Sequence, residues 1–187
     1  MNIWKYNIKL LWVLIGLISC FSLVWCWDSW TWNSKLSMDI SWFELNYNGE
    51  VELKKLQLKS DDLDEIIDLY QEVWDGSGYK DSLLVAEKHA QWLWANAFAQ
   101  DNLDTLENQW LDLSNVRKTQ IWLKRYWEEF NAVMVEYEII GWLINDIPLL
   151  YVSQLFVPND ENMILMSFIT EDQSSRASAS NMFKNIK

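Results

Sequence analysis

Few side chains in this sequence are equipped for chemistry, and their spacing narrows the choices further. The single histidine, His89, follows Glu87 and Lys88. A general base needs a nucleophile and an orienting group in reach. No Ser or Cys motif accompanies His89, so it reads as a surface or capping residue. The stretch Asp75-Gly76-Ser77-Gly78-Tyr79-Lys80-Asp81 has the look of a calcium loop, since hard cations take several oxygens and Asp75, Ser77 and Asp81 carry them. It lacks the twelve-residue spacing and the terminal bidentate Glu, and reads as a plain turn. Asp61, Asp62, Asp64 and Glu65 offer the carboxylates of a cation site or a glycosidase pair. The reading adopted for them is a solvated turn with helix-capping carboxylates. No Gly-rich phosphate loop, GxSxG elbow or HExxH pair occurs. The expectation is a protein that is not an enzyme, with no catalytic residue, metal site or cofactor; an exported hydrolase with an unrecognised active site is the alternative.

The remaining reactive group is a cysteine. Lys5 and Lys9 precede a nearly unbroken apolar run over residues 10–24, with no acid before Asp28. That is the charge and length pattern of an export signal. The run ends in Leu23-Val24-Trp25-Cys26, followed by Asp28, Ser29, Thr31, Asn33 and Ser34. It resembles a bacterial lipoprotein signal, which implies that Cys26 is lipidated and becomes the new N-terminus. Trp25 departs from the pattern, being too large for the small-residue pocket of a signal peptidase. The alternative is an uncleaved anchor, for which residues 10–27 are slightly short of the roughly 20 apolar residues that a spanning helix needs. Cys20, inside the run, reads as a small hydrophobe. The expected organisation is a signal peptide over 1–25, a tether over 26–40 and a single domain over 41–187. The expected location is the extracytoplasmic face of the cell membrane, held by the lipid anchor, with a protein partner at the cell surface.

Composition carries a second message at position 25. The chain has 14 Trp and only 5 Gly among 187 residues, where an average usage of about 7% would give roughly 13 Gly. With glycine in place of Trp, the segment after Val24 becomes Gly-Cys-Gly-Asp-Ser-Gly-Thr-Gly-Asn-Ser, an ordinary lipoprotein cleavage site and flexible tether. Trp74 precedes a Gly-rich turn, Trp110 follows a helical run where a C′ glycine belongs, and Trp142 sits beside Gly141 between strand-like runs. The expectation is that many of these codons are UGA, decoded as glycine in the native host. Trp mass at position 25 of the native product would exclude it.

With 27 acidic against 15 basic residues the net charge is −12, and loss of Lys5 and Lys9 with the signal takes it to −14. Phosphate binding needs a basic surface, so nucleic acid is excluded as an expected partner.

Patterning then supplies the elements. Phe43, Leu45 and Tyr47 alternate with Glu44 and Asn46, and Asn48-Gly49 reads as a hairpin turn into a strand through Val51, Leu53, Leu56 and Leu58. Ile66 to Val73 and Leu83-Leu84-Val85 read as a strand pair. Residues 95–109 form the clearest helix, with Phe98, Leu103 and Leu106 turned inward. Residues 121–124 are a short element. Alternation then predicts three antiparallel strands over 133–140, 149–157 and 163–169, burying Tyr137, Leu155 and Phe168. A closing helix over 171–187 is expected to bury Ala177, Met182, Phe183 and Ile186. Strands in runs with segregated helices predict an α+β fold, an antiparallel sheet with helices packed on it, preceded by the apolar N-terminal signal helix.

The helix Ala95-Asn96-Ala97-Phe98-Ala99-Gln100-Asp101-Asn102-Leu103, the strand Phe130-Asn131-Ala132-Val133-Met134-Val135-Glu136-Tyr137-Glu138, then Gln154-Leu155-Phe156-Val157, 163–170 and the final Met182-Phe183-Lys184-Asn185-Ile186 are similar to the PsbP-like superfamily over about 150 residues. The resemblance rests on element order and apolar patterning. It implies a sandwich used as a binding or assembly module, often on an exported lipoprotein, and carries over no catalytic residues.

Overall fold

The computed structural model describes residues 35–49, 52–56, 66–72, 81–90, 93–109, 111–125, 127–140 and 149–186. The chain opens with a hairpin, β1 (Lys35–Ile40) and β2 (Phe43–Asn48). Leu36, Met38 and Ile40 alternate with polar residues, as do Phe43, Leu45 and Tyr47, and the turn lies at Ser41-Trp42 with Ser41 at φ 54°. Then follow β3 (Leu53–Leu56), β4 (Ile66–Glu72), β5 (Ser82–His89), helix α1 (Ala95–Asn108), β6 (Asp112–Arg125), β7 (Glu128–Ile140), β8 (Leu149–Asn159), β9 (Asn162–Thr170) and helix α2 (Gln173–Lys184).

Seven of the strands make one antiparallel sheet in the order β3-β4-β5-β9-β8-β7-β6. The β7-β8-β9 meander is the one that alternation predicts, and Tyr137, Leu155 and Phe168 are buried in it. β9, near the middle, reads Met-Ile-Leu-Met-Ser-Phe-Ile because both of its faces are covered, so apolar residues occupy both phases of the strand. One face carries α1, whose Ala95, Ala99, Leu103 and Leu106 pack on Val133, Val135, Tyr137 and Phe156. The other carries the β1-β2 hairpin and α2, with Tyr47, Met182 and Phe183 against Met134, Leu155 and Phe168.

The α+β expectation is corrected by this architecture. With 63% strand and 22% helix the described chain is sheet-dominated, and its two helices are short covers. The physical reason lies in two strands of 6 and 14 residues, β1 and β6, where the sequence reading had tether and a short element. The N-terminal apolar helix of that expectation falls on residues outside the described set. Among the described residues no helix is long and apolar enough to cross a membrane.

Other differences are local. Asn48-Gly49 does not form a hairpin between β2 and β3, since β2 pairs with β1 and β3 with β4. Gly49 has a different use: a Cβ there would lie 2.0 Å from the Tyr47 hydroxyl oxygen, so only glycine permits the approach. Phe98 is half-buried against Phe156 rather than in the core. In α2 the buried set is Ser175, Ala179, Ser180, Met182 and Phe183, and Ala177 faces solvent.

Candidate functional site

Cys26, the predicted lipidation site, lies outside the described residues, as do Asp61, Asp62, Asp64, Glu65 and residues 75–80 of the Gly-rich turn. Among the described residues no three His, Cys, Asp or Glu side chains gather as metal ligands. Two features of the described chain remain, a cleft at one end of the sheet and a buried carboxyl at the other side of α2.

The cleft, of about 610 Å³, is assembled from the end of β5, the start of α1, β6, the start of β7 and the β8-β9 turn. His89 is exposed at the end of β5 and forms part of its wall. Opposite it, the two-residue turn between Asn159 and Asn162 places Asp160 at φ 53°, a conformation that Asp tolerates better than most residues. The Glu161 carbonyl in that turn accepts the Ala90 N–H at 3.0 Å, fixing the turn to the end of β5. Below, Asn159 and Asn162 both donate to Glu87 Oε1, at 2.9 and 3.0 Å. Phe130 and Met163 give the cleft an apolar base, and Glu129 and Glu161 add carboxylates. Asn131 Oδ1 is buried at its lining and has no hydrogen-bond partner among the described residues. That is an acceptor without a donor.

Trp94 and Trp122 form two further walls and are 85% and 65% exposed. Trp94 is the N-cap of α1 but makes no side-chain capping bond, and glycine is a better cap than a large apolar residue. Trp127 stands 95% exposed in the two-residue connection between Arg125 and Glu128.

The second feature is Asp81, which sequence reading placed at the end of a plain turn. It is 4% exposed. Its N–H donates to Glu72 Oε2 at 3.1 Å and its carbonyl accepts the Glu72 N–H at 2.8 Å. The hydroxyls of Thr170 and Ser175 hydrogen-bond its carboxyl group, whereas Oδ2 has no partner among the described residues. Burial pushes the carboxyl up to about 6, against the opposing effect of the two hydroxyls, and the Glu72 and Asp172 charges push the same way as burial. Asp172 behaves oppositely. As N-cap of α2 it accepts from Ser174 Oγ and from the Ser175 N–H, and these bonds hold its carboxyl below the usual range. Nothing in the local sequence marks Asp81 as buried, because its lid comes from β9 and α2, about ninety residues further on.

No family model matches this sequence, and no curated protein does. Among solved structures, 15 chains match. One is the crystal structure of a Pseudomonas aeruginosa protein of unknown function, 12% identical, with a TM-score of 0.47 over 81% of this chain and 94% of that one.

Proposed function

We propose that this chain is an exported lipoprotein, anchored through Cys26 on the extracytoplasmic face of the membrane, whose folded part is a non-enzymatic binding or assembly module. The PsbP-like resemblance belongs to the same proposal, resting on the order of helix, three-strand meander and closing helix. The observation that carries the binding reading is the cleft of about 610 Å³. Its size suits a small ligand. Its apolar base, its carboxylates and the acceptor Asn131 Oδ1 suit a ligand with an apolar body and a donor or positive charge.

The folded boundary bears on the anchor. β1 begins at Lys35 and buries Met38 and Ile40, so residues 27–34 separate Cys26 from the first described strand.

Two measurements test the reading. Labelled fatty acid should enter the chain expressed with glycine decoded at position 25, and Cys26→Ser should abolish it. Amide-shift titration with benzyltrimethylammonium should move residues of the 158–163 turn and of Phe130 and Asn131, with benzyl alcohol weaker. Unchanged processing in Cys26→Ser overturns the lipid anchor. Turnover of a chromogenic ester or glycoside, lost on changing His89 or Glu129, would make the chain a hydrolase instead.

A further inference from the structure

The two ends of the large sheet are finished differently. At one end β3 offers an edge of 4 residues. At the other, β6 runs for 14 residues, and among the described residues no strand pairs with its outer edge. Residues 115–120 of β6 are exposed on both faces of the sheet, Val116 at 41%. A long edge presents a row of unpaired N–H and C=O groups, a template for a further strand that bulges and charges normally blunt. The β6 bulge lies between Ser114 and Arg117, near the start of the strand. Residues 117–125 beyond it pair with β7 in unbroken register, so the template continues over that run.

Alternation gives this run two chemistries. On the α1 face stand Lys118, whose ammonium bonds Gln100 of α1, then Gln120, Trp122 and Lys124. On the opposite face Ile121 and Leu123 pack with the core beneath the hairpin and α2. Residues 113–125 include Arg117, Lys118, Lys124 and Arg125 and no acid, in a chain of net charge −12. The neighbouring carboxylates leave this charge largely standing. Glu129 lies 3.3 Å from Lys124 with both side chains exposed, and such a pair is worth little. Glu136, across from Arg117, is engaged by Arg176 and Ser180, and Asp104 accepts from Gln100. Arg117 has no ion pair among the described residues.

We infer that β6 is a docking edge for an extended segment of a partner protein in which acidic and apolar residues alternate. The segment adds to the sheet as one more strand, with its main chain on the free edge of 117–125. Its acids then lie beside Lys118 and Lys124, and its apolar side chains beside Ile121 and Leu123. The charges disfavour a second copy of the chain in that place. Antiparallel pairing of two β6 edges about Ile121 sets Arg117 opposite Arg125 and Lys118 opposite Lys124, and like charges directly opposite destabilise a ladder. The inference rests on the assembly half of the functional reading and is independent of the cleft and of Cys26.

The test is an amide-shift titration of the isotope-labelled full chain with a capped peptide of repeating Glu-Val. Amides of residues 117–125 should move, and those of the 158–163 turn should not. A repeating Lys-Val peptide should bind about tenfold more weakly or worse, and so should the Glu-Val peptide N-methylated throughout, which keeps its charge but cannot form the ladder. Lys118→Glu combined with Lys124→Glu changes two exposed side chains and should reverse the preference between the Glu-Val and Lys-Val peptides. Absence of shifts at 117–125, equal binding of the Lys-Val or the N-methylated peptide, or a dimer in sedimentation with these amides protected would overturn the docking edge. Benzyltrimethylammonium reports the cleft separately, so failure of one site is distinguishable from failure of the other.

Discussion

The two faces of the seven-stranded sheet carry helices of 14 and 12 residues, and they hold them by different physics. α1 lies on a largely apolar face. Ala95, Ala99, Leu103 and Leu106 bury against Val133, Val135, Tyr137 and Phe156, and the buried polar chain between helix and sheet is uncharged, the Lys118 ammonium of β6 reaching Gln100 only at the exposed rim. In it Asn102 donates to Gln154 at 3.1 Å and Gln154 to Ser167 at 2.7 Å. α2 lies on a charged face. Met182 and Phe183 fill the core, but Arg176 reaches Glu136 and Glu138 and stacks 5.3 Å over the Tyr151 ring, and Ser175 covers Asp81. A neutral contact keeps its strength across pH, whereas a charged one depends on which protons are bound. One helix is built to stay, and the other to respond.

The largest effect should come from the apolar face. Leu103→Ala removes a side chain that is 4% exposed and should destabilise the fold by about 2–5 kcal/mol in denaturant titration. The loss should be the same at pH 5 and pH 7.5. A pH-dependent loss would mean that the α1 face is coupled to the titrating groups after all.

On the charged face, Arg176→Met keeps the stem on Tyr151 but leaves Glu136 and Glu138 facing each other without a cation. All three side chains are 14–17% exposed, so solvent moderates the cost. The expected loss is about 2 kcal/mol, and added salt should recover part of it by screening the two glutamates. A loss below about 0.5 kcal/mol would show the cluster to be an ordinary surface pair.

These faces were unequally legible in the sequence. The α1 face was nearly all there, because a helix with one apolar stripe and a meander with strict alternation each write their burial into local order. Phe98 was the exception, sitting at the rim rather than beneath the helix. β1 also carried a readable signal in Leu36, Met38 and Ile40, but its polar partners resemble a tether. β6 carried almost none: it is an edge strand in which, among the residues whose burial is described, only Leu123 is buried, with a bulge at Asn115, φ 53°. An edge strand facing water has no reason to alternate. Asp81 and the cleft were illegible for another reason, since each is assembled from segments far apart in the chain.

The smallest effect should be at the exposed tryptophans. Trp127→Gly removes a side chain that is 95% exposed and touches no core cluster, so stability should stay within about 0.5 kcal/mol of the parent. A loss above about 2 kcal/mol would mean that the connection between β6 and β7 depends on the ring, and would count against glycine as its native residue.

The contrast between the faces is tested most directly by amide hydrogen exchange of both helices in one sample, at pH 5 and pH 7.5, corrected for the intrinsic pH dependence of exchange. Protection of α1 over residues 99–106 should be unchanged between the two. Burial raises Asp81 to about 6, so its ionisation costs stability as pH rises through that value. Protection in the first turns of α2, residues 175–180, should therefore fall at pH 7.5, and Asp81→Asn should restore it. Equal behaviour of the two helices, or an α2 that stays equally protected at both values, would contradict the account.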